Sequence, residues 1–357
     1  MTTMRTAVII LNWNTAGYLE SFLPSLLESL EGEDAELVVA DNASTDGSPE
    51  LLRKRFPELR RIELEKNFGF TGGYNRAVAQ VLKDCPQTEY IVLINSDIDV
   101  PQGWLKPLID YMDSHPACGV CGPKLHALLP LPEGGYERSS RFEYAGAAGG
   151  YLDRLGYPFC RGRVLSRTQE DEGQWDTVKN LMWVSGACLV TRSSLWKSIG
   201  GLDERFFAHM EEIDYCFRAR REGYKVRVVP QSVVYHLGGG TLPQTSPYKL
   251  MLNYRNGLLM LHKNLPYCYN ALHARLVICL RILCDDASAL VYLFSGKFKA
   301  FKAVFRAHHE YRRYRRPLKA GRSLIKGPVM CRFSIVLQSL LRGKGIFDYL
   351  RRYENSH

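Results

Sequence analysis

Asp41, Asp97, the pair Glu211-Glu212 and His236 are the groups whose type and setting could do chemistry. The apolar run Tyr90-Ile91-Val92-Leu93-Ile94 stops abruptly at Asn95-Ser96-Asp97-Ile98-Asp99, and Glu36-Leu37-Val38-Val39-Ala40 runs into Asp41-Asn42-Ala43-Ser44-Thr45-Asp46-Gly47-Ser48. Each pattern reads as a buried strand that delivers a carboxylate to a sheet edge. In open α/β sheets ligands bind outside the carboxyl ends of strands, and clustered oxygen ligands suit a hard cation carrying phosphate. The pair of strands therefore points to a nucleotide-diphosphate site. Asp97 could hold Mg²⁺ or Mn²⁺, with Asn95 as a neutral helper and Asp99 near by. Magnesium keeps only one or two protein carboxylates and fills its octahedron with water and phosphate oxygens, so a sparse acid set suffices.

Each residue also has a plainer use. Asp97 and Asp99 could simply end a strand in a turn, and Asp41 could start an Asx-turn instead of accepting the imide NH of uracil or thymine. Glu211 and Glu212 open a helix that Arg218, Arg220 and Arg221 close, as the helix dipole favours, yet one of the two could deprotonate a hydroxyl. His236, before Gly238-Gly239-Gly240, could be a third metal ligand or a packed imidazole. Gly69, Gly72 and Gly73 do not form G-x-G-x-x-G, which disfavours nicotinamide binding.

The elements that must position these groups alternate between strand and helix patterns through the first half, as in a mostly parallel sheet. Ala7 to Leu11 reads as the first strand rather than a signal peptide, since Asn12-Trp13-Asn14 follows with no cleavage site. Leu19, Phe22, Leu23, Leu26, Leu27 and Leu30 recur at helical spacing, with Pro24 expected to kink that helix or mark its first turn. Residues Leu128 to Lys179 are rich in Gly, Pro, Tyr and Arg, and read as a long excursion over the active edge. Leu181 to Val190 reads as a strand, and a helix is expected from His209.

From about Pro247 the chain turns basic, aromatic and helical. Phe298, Phe301, Val304 and Phe305 gather on one arc and Lys299, Lys302, Arg306 and Arg313 on another, a pattern for an interfacial helix or for one packed on the catalytic domain. The apolar stretches at Leu276 to Leu283 and Ala289 to Phe294 are interrupted by Arg281 and Asp285-Asp286, so neither piece reaches spanning length. The expected division is 1–246 for the α/β domain that carries the nucleotide-diphosphate site and 247–357 for a basic helical extension.

A net charge of +10 implies anionic partners: nucleic acid, phosphorylated substrates or an acidic membrane surface. The cations cluster on amphipathic helices without an aromatic stacking module, which argues against nucleic acid. Ten cysteines without repeated spacing fit a reducing compartment, and Cys118-Gly119-Val120-Cys121 reads as buried strand thiols rather than a zinc or redox pair.

Taken in order, Asp41 to Ser48, Asn67-Phe68-Gly69-Phe70-Thr71-Gly72-Gly73-Tyr74-Asn75, Leu93 to Asp97, Trp183-Val184-Ser185-Gly186-Ala187 and Gly201-Leu202-Asp203-Glu204-Arg205-Phe206-Phe207 closely resemble the family 2 glycosyltransferases. The resemblance runs from about Ala7 to His262, and is nearest to the rhamnosyltransferase-like branch that builds bacterial cell-surface polysaccharides. It implies a GT-A-like α/β fold and metal-assisted single displacement with inversion at the anomeric carbon. By position, Asp41 would hold the nucleobase, Asn95-Ser96-Asp97 would be the metal motif with Asp97 the ligand, and His236 would join the metal. Asn12, Asn67, Gly69, Gly73 and Asn75 are expected around the nucleotide sugar. Glu212 stands where the family usually has an Asp base, and Asn95 replaces the first acid of the stricter Asp-x-Asp form. The expected activity moves a sugar, with rhamnose a candidate, from a UDP or dTDP donor to a cell-surface glycan or polyprenyl-linked acceptor at the cytoplasmic membrane face. Two other readings are a non-catalytic nucleotide-sugar binder or membrane scaffold, and a sugar-nucleotide pyrophosphorylase. The latter should carry a Gly-rich loop with Arg and Lys after the first strand, where this chain has Asn12-Trp13-Asn14-Thr15.

Overall fold

The computed structural model describes residues 4–238, 246–318, 321, 323–325 and 329–356. Its amino-terminal half alternates β1 (Thr6–Asn12), α1 (Ala16–Ser29), β2 (Ala35–Asp41), α2 (Ser48–Arg55), β3 (Arg60–Glu63), α3 (Gly69–Asp84), β4 (Tyr90–Ile94), β5 (Ile98–Asp99) and α4 (Lys106–Ser114). Next come β6 (Cys118–Pro130), β7 (Tyr136–Phe142), β8 (Gly150–Leu152), β9 (Pro158–Cys160), β10 (Arg163–Val164), β11 (Arg167–Thr168) and β12 (Cys188–Arg192). The remainder is α5 (Ser193–Ile199), α6 (Glu211–Arg221), β13 (Lys225–His236), α7 (Pro247–Asn264), α8 (Ala271–Phe294), α9 (Phe298–Tyr314), α10 (Ile335–Arg342) and α11 (Ile346–Ser356).

The main sheet has the order β3-β2-β1-β4-β12-β6-β13-β5, with β7 added on β6. Strands β3, β2, β1 and β4 are mutually parallel, as are β6 and β13, whereas β12, β5 and β7 run against their neighbours. The strands are apolar on both faces because both are covered. Ala7, Ile9, Ile91 and Leu93 point into one core with α3, while Val8, Ile10, Val92 and Ile94 point into the other with α1 and α4. Period-two alternation thus divides each strand between two helical layers. The mostly parallel α/β sheet expected from the sequence is present.

Several local expectations change. Pro24 lies inside α1, beyond its first turn. The stretch after Leu128 is not one loop: β6 continues to Pro130, β7 pairs back on it, and β8 to β11 form a separate small sheet. Short strands of two or three residues carry too little alternation to be read from sequence. The strand expected from Leu181 begins only at Cys188; before it, the Ser185 hydroxyl accepts from Ala187 N in a local turn.

Helix α8 runs from Ala271 to Phe294 and carries both apolar stretches together with the charges between them. Arg281 and Asp285, one turn apart on its buried face, pair at 3.0 Å and so satisfy each other within the helix. No helix among the described residues is long and apolar enough to cross a membrane. In α9, Val304 is buried while Phe298 and Phe305 are exposed, so the expected aromatic arc does not face one environment. Residues of α7, α8 and α11 join the same apolar core as β1 and α3. Cys118 and Cys121 are buried and free.

Candidate active site

Parallel β1, β2 and β4 end together at Asn12, Asp41 and Ile94, and β13 ends beside them at His236. Short β5 pairs His236 with Ile98, and Leu237 N donates to Asp97 O at 3.1 Å, which brings the Asp97 and His236 side chains together. A cavity of about 780 Å³ opens at this edge.

Of the residues expected in the site, Asn67, Gly69, Asn95, Ser96, Asp97, Glu211, Glu212 and His236 line that cavity. Asn12 and Asp41 lie buried behind it. Asn12 Nδ2 donates to Asp41 Oδ1 at 2.7 Å and Ser44 N donates to Asp41 Oδ2 at 2.9 Å, so both carboxylate oxygens are engaged within the chain. Asp41 is thus tied to the loop it starts, and its neighbour Asn42 reaches the lining, accepting from Phe68 N and donating to Asn67 Oδ1, both at 3.0 Å.

Gly73 packs under Leu11, and Asn75 holds the Leu202 backbone in both directions at 2.8 and 2.9 Å, so these two support the walls from outside the lining. Asp99, expected near the metal, is not among the residues lining the cavity and is bound by Arg138, whose Nε donates at 2.6 Å and Nη2 at 3.1 Å. Gly69 has φ +71°, and a Cβ there would stand 2.4 Å from the Phe207 ring, so only glycine fits this close approach.

Asp97 Oδ1 lies 3.3 Å from His236 Nε2, and the other ring nitrogen, Nδ1, lies 3.2 Å from Glu143 Oε2. All three side chains are nearly buried. Burial opposes the charge of Asp97, but His236 and a hydrogen bond from Asn95 outweigh it and hold its pKa below the usual carboxylate value. Burial likewise opposes imidazolium, yet Asp97 and Glu143 hold the His236 pKa well above its ordinary value.

The residues fit a divalent cation in part. Neighbouring corners of an octahedron with bonds near 2.1 Å are about 3 Å apart, close to the separation of the Asp97 and His236 donor atoms. A carboxylate on the remote nitrogen of a metal-ligating histidine is the usual outer partner. No cluster of three or more protein ligands occurs among the described residues, so oxygens of a bound diphosphate or water would have to complete the shell.

Glu211 and Glu212 open α6, two residues after His209. Phe207, His209 and Met210 have φ of 64°, 70° and 68°, a left-handed run that delays the helix. Asn256 Nδ2 pins this loop through the carbonyls of Phe206, Ala208 and His209 at 3.0, 2.8 and 2.7 Å. Such over-determined strain clusters at functional sites. Both glutamates have a buried Oε2 with no hydrogen-bond partner. Burial pushes the Glu212 carboxyl up to about 7, and burial together with the charge of Glu212 pushes Glu211 well above its ordinary value. A buried carboxyl facing a cavity with such a pKa is suited to proton abstraction near neutrality.

The opposite wall carries residues that sequence reading did not single out: Glu143, Tyr144, Tyr157 and Arg163 from the 128–179 stretch, and Lys249, Tyr254 and Arg281 from the carboxy-terminal helices. Trp13, 37 % exposed, stands at the end of β1. Asn42 could have been found from its place beside Asp41. Glu143 carries no local signal, since it follows β7 in an aperiodic stretch.

Residues 7–154 match the family model "Glycosyl transferase family 2". The chain is 29% identical over 235 residues to an N-acetylglucosaminyl-diphospho-decaprenol L-rhamnosyltransferase of Mycobacterium tuberculosis, covering 64% of this chain and 75% of that one. It is 25% identical over 223 residues to rhamnosyltransferase WbbL of Escherichia coli, covering 61% and 79%. Among solved structures it is similar to the mannosyltransferase PcManGT of Pyrobaculum calidifontis in complex with GDP-Man and Mn²⁺, with TM-score 0.50, 15% identity and 87% of each chain covered. It also matches GalNAc-T7 with UDP, GalNAc and Mn²⁺, with TM-score 0.54, 15% identity and 72% of this chain covered, though the match spans 48% of that chain. These likenesses agree with the sheet and cleft described above: the chain carries a glycosyltransferase family 2 domain on a GT-A fold, and it is a glycosyltransferase.

Proposed function

We propose that the protein transfers a sugar, with inversion, from a UDP- or dTDP-sugar to a hydroxyl of a polyprenyl-linked or cell-surface glycan at the cytoplasmic face of the membrane. The observation that carries this reading is the convergence of Asp97, His236 and Glu212 on one cavity at the carboxyl edge of the sheet. The rhamnosyltransferase relatives favour a dTDP-deoxyhexose donor and, through the decaprenol relative, a lipid-linked acceptor.

Asp97 and His236 would hold Mg²⁺ or Mn²⁺, which when bound supplies positive charge to the departing diphosphate. The Mn²⁺ named with the two similar structures supports a cation of this kind. Arg163 and Lys249 add protein cations to the same cavity. Asn42, Asn67 and Ser96 present amide and hydroxyl groups on the nucleotide side. Glu212 takes the proton of the acceptor hydroxyl as its oxygen forms the new bond to the anomeric carbon, while the carbon–oxygen bond to the diphosphate breaks on the opposite face. Apolar walls from Phe70, Trp183 and Phe207 limit the water that could compete with the acceptor. The basic carboxy-terminal helices would keep the enzyme on an anionic membrane surface.

The test is turnover. Purified protein with Mn²⁺ and a panel of nucleotide sugars, with and without membrane extract, is expected to transfer sugar from a UDP or dTDP donor to lipid. Donor binding without turnover under every condition would instead establish a non-catalytic binder.

A further inference from the structure

Helix α8 leaves one face without a partner. Leu272, Leu276, Leu280, Leu283, Ala287, Leu290 and Phe294 follow one another at three- and four-residue steps and are all exposed, Leu272 by 78%, Leu283 by 63% and Phe294 by 85%. That spacing keeps them on one stripe along the helix. Ala274, Val277, Ile278, Arg281, Asp285 and Ala289 are buried on the other side, so packing fixes the stripe outward.

A groove of about 700 Å³ runs beside the stripe, lined by Arg275, Cys279 and Ile282 of α8 and by Arg312, Arg315 and Arg316 at and beyond the end of α9. The residues lining it include no acid. Across the outer surface of α9, Lys299, Lys302, Arg306 and Arg313 are exposed, as are Phe298 and Phe305. A second copy docked face to face would set these cations against themselves. A surface that combines an apolar stripe with concentrated positive charge matches lipid tails under anionic headgroups.

We infer that α8 seats the protein on an anionic bilayer, its leucine stripe entering the acyl boundary while the groove of Arg275, Arg312, Arg315 and Arg316 takes headgroup phosphates. The inference rests on, and sharpens, the reading of a membrane-borne acceptor, and it moves the contact from the α9 pattern to α8. Arg281, on the buried side of the same helix, lines the catalytic cavity, so seating α8 sets the cavity at a fixed distance from the lipid surface.

Vesicle flotation tests this without any substrate, so it stands or falls apart from transfer activity. The full chain is mixed with phosphatidylcholine vesicles, with or without phosphatidylglycerol, and its partition is measured. Phosphatidylglycerol is expected to strengthen binding by about tenfold or more, since each cation near an anionic surface adds to affinity. Leu276→Gln, Leu283→Gln and Leu290→Gln combined, which alter only exposed side chains, should abolish flotation while leaving thermal unfolding unchanged. Arg275→Gln, Arg312→Gln and Arg315→Gln combined should reduce binding to the level seen with phosphatidylcholine alone. The inference is overturned if the wild-type chain ignores both vesicles, or if the leucine variant floats as before. It is also overturned if the leucine variant converts a dimer to a monomer while vesicles bind neither form, or if inorganic phosphate strips the wild type from vesicles at constant ionic strength, which would mark a site for free phosphate.

Discussion

Glu143 Oε2 stands 3.2 Å from His236 Nδ1, on the far side of the ring from Asp97. The carboxylate thus lies beside Nδ1 while Nε2 is turned toward Asp97, and Ala145 N donates to Glu143 Oε2 at 2.5 Å, holding it in place. Removing the outer partner of a metal-ligating histidine typically weakens metal binding by about 10- to 100-fold. Glu143→Gln is expected to lower Mn²⁺ affinity within that range, read by electron paramagnetic resonance titration without donor. Unchanged affinity would show that Glu143 does not support the ion.

Glu212 should behave as a base. With its carboxyl near 7, the ionised form accumulates as pH rises, so kcat/KM should climb through about pH 7 and then level off. Glu212→Gln should lower kcat by about 10²- to 10⁴-fold, the usual range for a lost acid–base group, and flatten that limb. Donor binding, followed by calorimetry, should stay within about threefold if Glu212 contacts mainly the acceptor. Retention of the same pH limb in the variant would remove Glu212 from the base role.

The depth of the glutamate pair also has a stability consequence. Both carboxyls titrate at higher pH in the folded chain than in the unfolded one, so the folded state binds more protons and loses stability as pH rises from about 4.5 through 7 and beyond. This runs opposite to the usual salt-bridged carboxylate. Glu211→Gln, which keeps the shape and removes the ionisation, is expected to stabilise the protein at pH 8 by on the order of 1 kcal/mol and to have little effect at pH 5. Thermal melts at the two pH values decide it, and a variant less stable at pH 8 would contradict the assignment.

What the sequence disclosed about this site follows from how far each signal reaches. Asp97 was legible because it follows the apolar run of β4, and strand ends in a parallel sheet share one edge, whereas His236 was marked only by its place before Gly238-Gly239-Gly240. Asp41 showed the same signal, but strand position does not reveal that its carboxylate also binds Asn12 and Ser44 in the loop it starts. The pairing of Asp99 with Arg138 was not readable either, since Arg138 lies on β7, which has no readable pattern. Glu143, Tyr157 and Arg163 reach the cavity through tertiary contacts of a Gly-rich stretch, and no local periodicity records such contacts. The charges that keep the two apolar stretches of α8 below spanning length were legible, whereas the pairing of Arg281 with Asp285 on its buried face shows only in the fold.

Asn256 offers a test of whether the left-handed loop before α6 matters to catalysis. Its amide accounts for three carbonyls of that loop, and Arg255 Nη2 adds Phe206 O at 2.8 Å and Arg205 O at 3.1 Å. Asn256→Ala strands buried acceptors, which should cost about 1–3 kcal/mol. The loop should then relax from positive φ and shift the start of α6, so kcat is expected to fall by about tenfold or more while donor affinity is largely kept. Asn256→Asp presents an acceptor where a donor is needed and should be at least as damaging. Hydrogen exchange across residues 206–212 separates the causes: faster exchange confined to this segment supports a positioning role, whereas uniformly faster exchange would reduce Asn256 to a general contributor to stability.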